Sequence, residues 1–201
     1  MTRPTRTVIV FARAPRFGAV KTRLARDIGR LEAWTFYRRA LAALVRRLTK
    51  NGRWTVWLAV TPDSFARAPF RGLPKGVRCI PQGRGDLGRR MARALRAVPS
   101  GPAVLIGADI PGVRAGHITQ AFAKLADHDA VFGPAADGGY WLVGFRRAPA
   151  ANIFDGVRWS TPHALADTLA NLEGLKVAPP VETLADVDDG RAWRALTSGV
   201  P

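Results

Sequence analysis

Hydrophobic and polar positions divide the chain into two kinds of segment. Short, nearly unbroken apolar runs recur at Thr7–Ala12, Trp54–Val60, Val77–Ile80, Ala103–Ile106, Ala130–Phe132 and Leu142–Phe145. Their length, β-branched content and flanking Gly, Pro or Asp predict strands buried on both faces. Between them the apolar positions space out. Leu31, Trp34, Tyr37, Leu41, Leu44, Val45 and Leu48 recur mostly at intervals of three and four, which predicts an amphipathic helix over 31–48, ended by Asn51-Gly52. Leu87, Met91, Leu95 and Val98 predict a second helix. A third begins near Arg114 and covers Ile118–Leu125, and a fourth starts at Ser160 or Thr161 before Pro162 and runs to about Leu172. A last one passes through Trp193 and Leu196. Arg67–Gly76, rich in Pro and Gly, reads as loop, and Leu175–Ala178 as an edge strand stopped by Pro179-Pro180. Strands alternating with helices predict an α/β fold, a mostly parallel central sheet flanked by helices in a Rossmann-like three-layer sandwich. At 201 residues with no internal repeat, one domain spanning 1–201 is expected.

Composition narrows the class. No apolar run approaches the roughly 20 residues that cross a bilayer, and with only six residues in the apolar run after the basic Met1–Arg6 a secretory signal is not expected. Cys79 is the single cysteine, so no internal disulfide forms and a cytoplasmic location is expected. The net charge of +16 is uneven: residues 1–100 carry 23 basic and four acidic side chains, net +19, whereas residues 101–201 carry eight and 11, net −3. A basic half can serve a polyanion. Many of its arginines, such as Arg38, Arg39, Arg46 and Arg47, or Arg89, Arg90, Arg93 and Arg96, have the spacing of a helix surface, and arginine outnumbers lysine 26 to 5. A solvated surface is the expected reading, so nucleic acid is not the expected partner, and a non-catalytic polyanion-binding module is the remote alternative. The sequence leaves the oligomeric state open. His117, His128 and His163 have no metal-ligand spacing, and no Ser/His/Asp or Cys/His arrangement is present.

Candidate chemistry lies where strands end. Asp109 follows the Ala103–Ile106 run, and Pro111 and Gly112 prevent that strand from continuing. A carboxylate at the carboxyl end of a central strand lies where open α/β sheets hold ligands; an aspartate simply making a turn is the plain alternative. The first strand runs into Arg13–Arg23, a basic loop with Pro15 and Gly18 before a helix, which can gather backbone N–H groups and cations on phosphates. It is not a Walker A loop, because Gly18 stands three residues before Lys21. Asp86 suits a helix cap, while Gly83 and Gly85 would let a base or ribose approach the backbone. Asp137-Gly138-Gly139 reads as a hairpin turn, or as a polar acceptor site beside Tyr140 and Trp141. Asp186, Asp188 and Asp189 suit a helix N-terminus or, alternatively, supply a second metal ligand.

Six stretches, FARAPRFGAVKTRLA (Phe11–Ala25), QGRGDLGRRM (Gln82–Met91), IGADIPG (Ile106–Gly112), GPAADGGYWLVG (Gly133–Gly144), VRWSTP (Val157–Pro162) and LADVDD (Leu184–Asp189), together resemble the bacterial DUF2064 family. That family belongs to the nucleotide-diphospho-sugar transferase superfamily with the GT-A fold, and some members are assigned to glycosyl transfer in arsenosugar biosynthesis. The resemblance covers nearly the whole chain in order. It implies that Phe11, Ala12, Arg13, Gly18, Lys21, Thr22 and Arg23 form the loop for the nucleotide phosphates, with Gly85 and Asp86 near base or ribose. It further implies that Asp109 binds the metal, joined by Asp186 or Asp188, a position used by some related nucleotidyltransferases. Asp137, Gly138, Gly139, Tyr140 and Trp159 would face the sugar or acceptor, and Asp109, Lys21 and Asp137 would carry catalysis. The implied activity is metal-dependent transfer, with Mg²⁺ or Mn²⁺, from a nucleotide sugar to a small acceptor. The KTRL of Lys21–Leu24 also resembles guanylyltransferases acting on phospholactate, which makes nucleotidyl transfer from a nucleoside triphosphate the runner-up. The chain departs from the superfamily in lacking a GGxGxR opening and in having Ala108-Asp109-Ile110 where a full DxD would stand.

Overall fold

The computed structural model describes residues 5–50, 52–68 and 72–197. Asn51 of the expected break, Pro69 of the expected loop and Met1–Pro4 lie outside them. The chain runs β1 (Thr7–Arg13), α1 (Leu24–Ile28), α2 (Arg30–Thr49), β2 (Thr55–Thr61), α3 (Ser64–Arg67), β3 (Arg78–Pro81), α4 (Leu87–Ala97), β4 (Ala103–Gly107), α5 (Ala115–Lys124), β5 (Ala130–Pro134), β6 (Tyr140–Phe145), α6 (Ala164–Ala170) and α7 (Gly190–Thr197). The strands form one six-stranded sheet in the order β3-β2-β1-β4-β6-β5. The first three pairings are parallel and the last two, made by β6, are antiparallel. This is the mostly parallel α/β sandwich that the apolar pattern predicts.

Alternation along the strands builds the layers. Val8 and Val10 face α2 and α5, where Tyr37, Leu41, Leu44, Val45, Leu48, Ile118 and Phe122 complete one core. Ile9, Ala59 and Leu105 face the other side, against Met91, Ala94 and Leu95 of α4 and Ile153, Phe154 and Leu172. Short elements depart from expectation. α1 and α3 have no apolar period long enough to announce them, and Leu175–Ala178 forms only one isolated bridge, Val177 to Ala130, rather than a strand. The edge backbone there is taken up by single bonds, such as Ala178 N–H to Ala130 O at 2.8 Å.

The strand order sets the site. From β1 the chain moves one way to β2 and β3, then returns to place β4 on the opposite side of β1. Loops leaving the carboxyl ends of β1 and β4 therefore diverge and open a crevice between them.

Candidate active site

Asp109 and Lys21 meet at this crevice although 88 residues separate them: Lys21 Nζ lies 3.2 Å from Asp109 Oδ2. The same ammonium lies 2.5 Å from Asp188 Oδ1. Asp109 is anchored because Ala108 and Ile110 on either side are buried, so its carboxylate must face out of the core. Gly107 keeps space for it; a Cβ there would stand 3.1 Å from Asp109 Oδ1. Lys21 adopts a positive φ of 49° in the loop after β1, a conformation non-glycine residues rarely keep without surrounding support.

The acidic tail segment reaches the same point from the far end of the chain. Leu184 bridges Ala135, and the Val187 N–H donates to Asp109 O at 3.4 Å. Beyond it, Asp27 Oδ2 accepts from Gly190 N–H at 2.7 Å and ties α7 to α1. As a result Asp109, Asp186 and Asp188 each offer an oxygen, all within 4.8 Å of one another. Asp189 has the other expected role, accepting from Ala192 N–H at 2.8 Å at the start of α7.

The electrostatics follow from this crowding. Desolvation within the carboxylate cluster, with Asp188 and Asp109 close by, pushes the Asp186 carboxyl up to about 6. Burial also opposes the charged form of Asp188, but the hydrogen bond and charge of Lys21 outweigh it and lower its pKa. Lys21, with only 6% of its side chain exposed, would lose its proton more readily through burial, yet Asp109 and Asp188 reverse that and raise its pKa. Three carboxylates and one cation thus leave the corner with an unsatisfied negative charge.

A cleft of about 510 Å³ opens beside this corner. Of the residues singled out in the sequence, Phe11, Ala12, Arg13, Lys21, Thr22, Arg23, Asp109, Tyr140 and Asp188 line it. Gly18, Gly85, Asp86, Asp137, Gly138, Gly139, Trp159 and Asp186 are not on its walls, although Asp186 stands in the carboxylate cluster. Asp86 caps α4, accepting from Arg89 N–H at 2.8 Å. Asp137 Oδ1 accepts from Gly139 N–H at 2.9 Å and closes the β5–β6 turn. Gly138 (φ +85°) packs so closely on Pro162 that a Cβ would lie 2.4 Å from its carbonyl oxygen. Trp159 packs against Phe154 and Tyr140 in the core on the α4 side of the sheet.

Three wall residues escaped sequence reasoning. Gln82 is buried, donating to Ala12 O (3.0 Å) and Ala59 O (2.9 Å) while its Oε1 accepts from Arg90. Arg90, read from sequence as helix surface, instead lines the cleft and lies over the Phe11 ring, 5.6 Å from its centroid. Burial and the nearby Arg13 charge lower its pKa. A glutamine inside QGRGDLGRRM was the available signal, since a buried amide needs several partners. Tyr37, from the middle of α2, is the third; its hydroxyl donates to Arg13 O at 2.9 Å and accepts from Arg13 N–H at 3.1 Å, fixing the end of β1.

A mostly parallel sheet with its crevice at the β1/β4 switch is the architecture of the nucleotide-diphospho-sugar transferase superfamily. Within it, a family profile described as "Uncharacterized protein conserved in bacteria (DUF2064)" matches residues 44–161, and the chain belongs to that family. The chain is similar to a candidate nucleotide-diphospho-sugar transferase from Desulfovibrio desulfuricans G20, at 28% identity and a TM-score of 0.83, covering 95% of this chain and 85% of that one. It also resembles a nucleotidyl transferase from Methanothermobacter thermautotroptrophicus (14% identity, TM-score 0.66, 97% of each chain). A third likeness is to Rv0371c from Mycobacterium tuberculosis H37Rv in its manganese complex (20% identity, TM-score 0.60, 98% of this chain and 100% of that one). The last two likenesses establish the fold alone. No curated protein matches the chain.

Proposed function

We propose that this protein is a metal-dependent transferase that uses a nucleotide-activated donor, with glycosyl transfer from a nucleotide-diphospho-sugar to a small acceptor as the reaction. The observation that carries the reading is the convergence of Asp109, Asp186 and Asp188 with Lys21 at the mouth of a cleft that also holds Arg13 and Arg23. An all-oxygen, acid-rich donor set suits a hard divalent ion such as Mg²⁺ or Mn²⁺. Asp109, Asp186 and Asp188 would hold it, and a bound divalent ion neutralises the phosphate oxygens of a donor. The Rv0371c manganese complex, on the same fold, is consistent with this assignment.

The chain's own side chains account for the remaining work. Arg13 and Arg23 bind diphosphate oxygens, and Phe11 with Arg90 lines the wall that would receive the nucleoside. In glycosyl transfer an acceptor hydroxyl attacks the anomeric carbon, the bond from that carbon to the diphosphate oxygen breaks, the electron pair leaves with the nucleoside diphosphate, and the hydroxyl proton passes to solvent. Arg13, Lys21 and Arg23 stabilise the charge that develops there. Tyr140, half-buried on the cleft wall, offers an aromatic surface for the acceptor, whereas the Trp141 indole is buried and donates to Glu182 O. The Asp137 carboxylate is committed to its own turn, which argues against it as the general base.

One observation favours a second reading. Asp186 and Asp188 join Asp109, and a late aspartate at this position resembles the metal-binding aspartate of some related nucleotidyltransferases. In that reaction an acceptor phosphate oxygen attacks the α-phosphorus of a nucleoside triphosphate and pyrophosphate leaves. A thermal-shift panel of nucleotide sugars and nucleoside triphosphates, each with Mn²⁺ or EDTA, on native protein and Asp109→Ala separates the two. Stabilisation by one nucleotide sugar that needs both metal and Asp109 supports glycosyl transfer. A response confined to a triphosphate selects nucleotidyl transfer, and no metal-dependent response to any nucleotide overturns both.

A further inference from the structure

The opposite edge of the sheet carries a second and larger groove, of about 1360 Å³. It lies where β1, β2 and β4 begin and β6 ends, with the closing turns of α4 and α5 as its other wall. Arg6 and Arg53 precede β1 and β2, Arg146 and Arg147 follow β6, and Arg96 comes from the last turn of α4. All five are exposed, and none forms an ion pair among the described residues. Among the described residues no aspartate or glutamate lines the groove. Asp129, next to Arg146 in the β5–β6 pairing, turns its carboxylate to the Lys176 N–H instead, at 3.0 Å.

Helix carbonyl ends do not absorb this charge. Val98 and Leu125, which end α4 and α5, bring two helix C-termini to the groove, together worth about one negative charge. Five guanidinium groups exceed that several-fold. The order β2-β1-β4-β6 spreads them across three strand spacings, roughly 14 Å. The volume exceeds the usual ~300–1,000 Å³ of small-molecule pockets, and a concave row of cations fits a chain better than a flat membrane. The rings beneath, Trp54 and Phe122, are buried at 8% and 2% exposure, and Arg6 covers Phe122. They offer no face for a base to stack on.

We propose that this groove binds the phosphodiester backbone of a single-stranded nucleic acid, without sequence selectivity, at a site separate from the transferase cleft. The geometry gives phosphate contacts in a groove that a flexible strand can follow and no base readout.

The test is fluorescence anisotropy with a labelled oligothymidylate over a salt series. Native protein is expected to bind with a steep salt dependence. Arg53→Ala/Arg146→Ala should weaken binding at least about tenfold and reduce the slope of log K against log salt by about 1.4, the loss of two single-strand phosphate contacts. Arg96→Ala/Arg147→Ala should do the same. Because these side chains lack ionic partners, the variants should melt like native protein. Arg39→Ala/Arg46→Ala, the same charge change on the exposed face of α2, should leave affinity and slope unchanged. Equal losses in the α2 control would assign binding to diffuse charge and overturn the proposal. So would absence of binding at about 150 mM salt, or competition by duplex DNA as strong per phosphate as by single strand.

Discussion

The two edges of one sheet handle charge in opposite ways. At the carboxyl ends of β1 and β4, cations and carboxylates are interleaved, and Lys21 sits between Asp109 and Asp188 with its ammonium almost wholly covered. At the amino ends, five arginines gather with no carboxylate among them. The strands between the edges are the same, so the difference resides in the connections. Segments from three distant parts of the chain, after β1, after β4 and before α7, converge on the first edge and bring acids to bases. The second edge is made from residues flanking the strands and from the closing turns of α4 and α5, and its five arginines form no ion pair among the described residues. An interleaved site can hold a metal and a diphosphate together; a single-sign groove can only attract anions.

A lesion in the shared sheet should affect both edges and have the largest effect. Ile106 in β4 is fully buried, so Ile106→Ala should cost about 2–5 kcal/mol in urea unfolding. The refolded fraction should keep both nucleotide and oligonucleotide binding, and loss of only one would mean that the edges are not carried by a common core. Removing the cation at the interleaved edge should be milder. Lys21→Met leaves three neighbouring carboxylates without their ammonium, and because Asp109 and Asp188 are 40% and 45% exposed, solvent screens the repulsion to about 1 kcal/mol. The deficit should appear in EDTA and shrink in Mn²⁺, whose charge replaces the ammonium; an equal deficit in both conditions would argue that the carboxylates hold no ion.

The smallest effect expected is a pH dependence outside either edge. Hydrogen bonds from the Arg158 side chain, then from its backbone, hold the Asp167 carboxyl down at about 2, against its ordinary 3.8. A value lowered by folding contributes stability above the unfolded pKa, and the contribution fades as pH falls from about 4 towards 2. Arg158→Ala should flatten acid melting curves in that interval alone, with no change near neutrality in the slope attributable to this pair. Curves that superimpose on native between pH 4 and 2 would show that the pair contributes nothing.

Elements with a long enough apolar signal were legible in the sequence. The six-strand pattern, α2 and α4 follow from spacing, because burying one face of a helix or both faces of a strand imposes a period on the residues. α1 and α3, five and four residues long, carry no such period. Leu175–Ala178 has the apolar content of a strand but meets β5 at only one bridge. In the site, Asp109 and the Arg13–Arg23 loop were legible from their place after strands. Asp137, Gly138, Gly139 and Trp159 stood out for their residue types, yet the β5–β6 turn and the core on the α4 side take up their contacts. Arg90 was hidden among arginines of identical spacing. Only the partner that each side chain meets, Gln82 and Phe11 for Arg90, Asp86 for the Arg89 amide, distinguishes them.

The α/β class, the family and the basic loop after β1 could be read from residues alone, because periodicity and local motifs are properties of neighbouring residues. The tertiary structure was needed to show that both Asp186 and Asp188, rather than one of them, join Asp109, that Lys21 lies between two of the three, and that five scattered arginines form one groove. Those outcomes depend on strand order and on how loops close over 50 to 170 residues; Lys21 and Asp188, in contact, are 167 positions apart. Charges that distant in sequence carry no pattern until the sheet brings their segments to one edge.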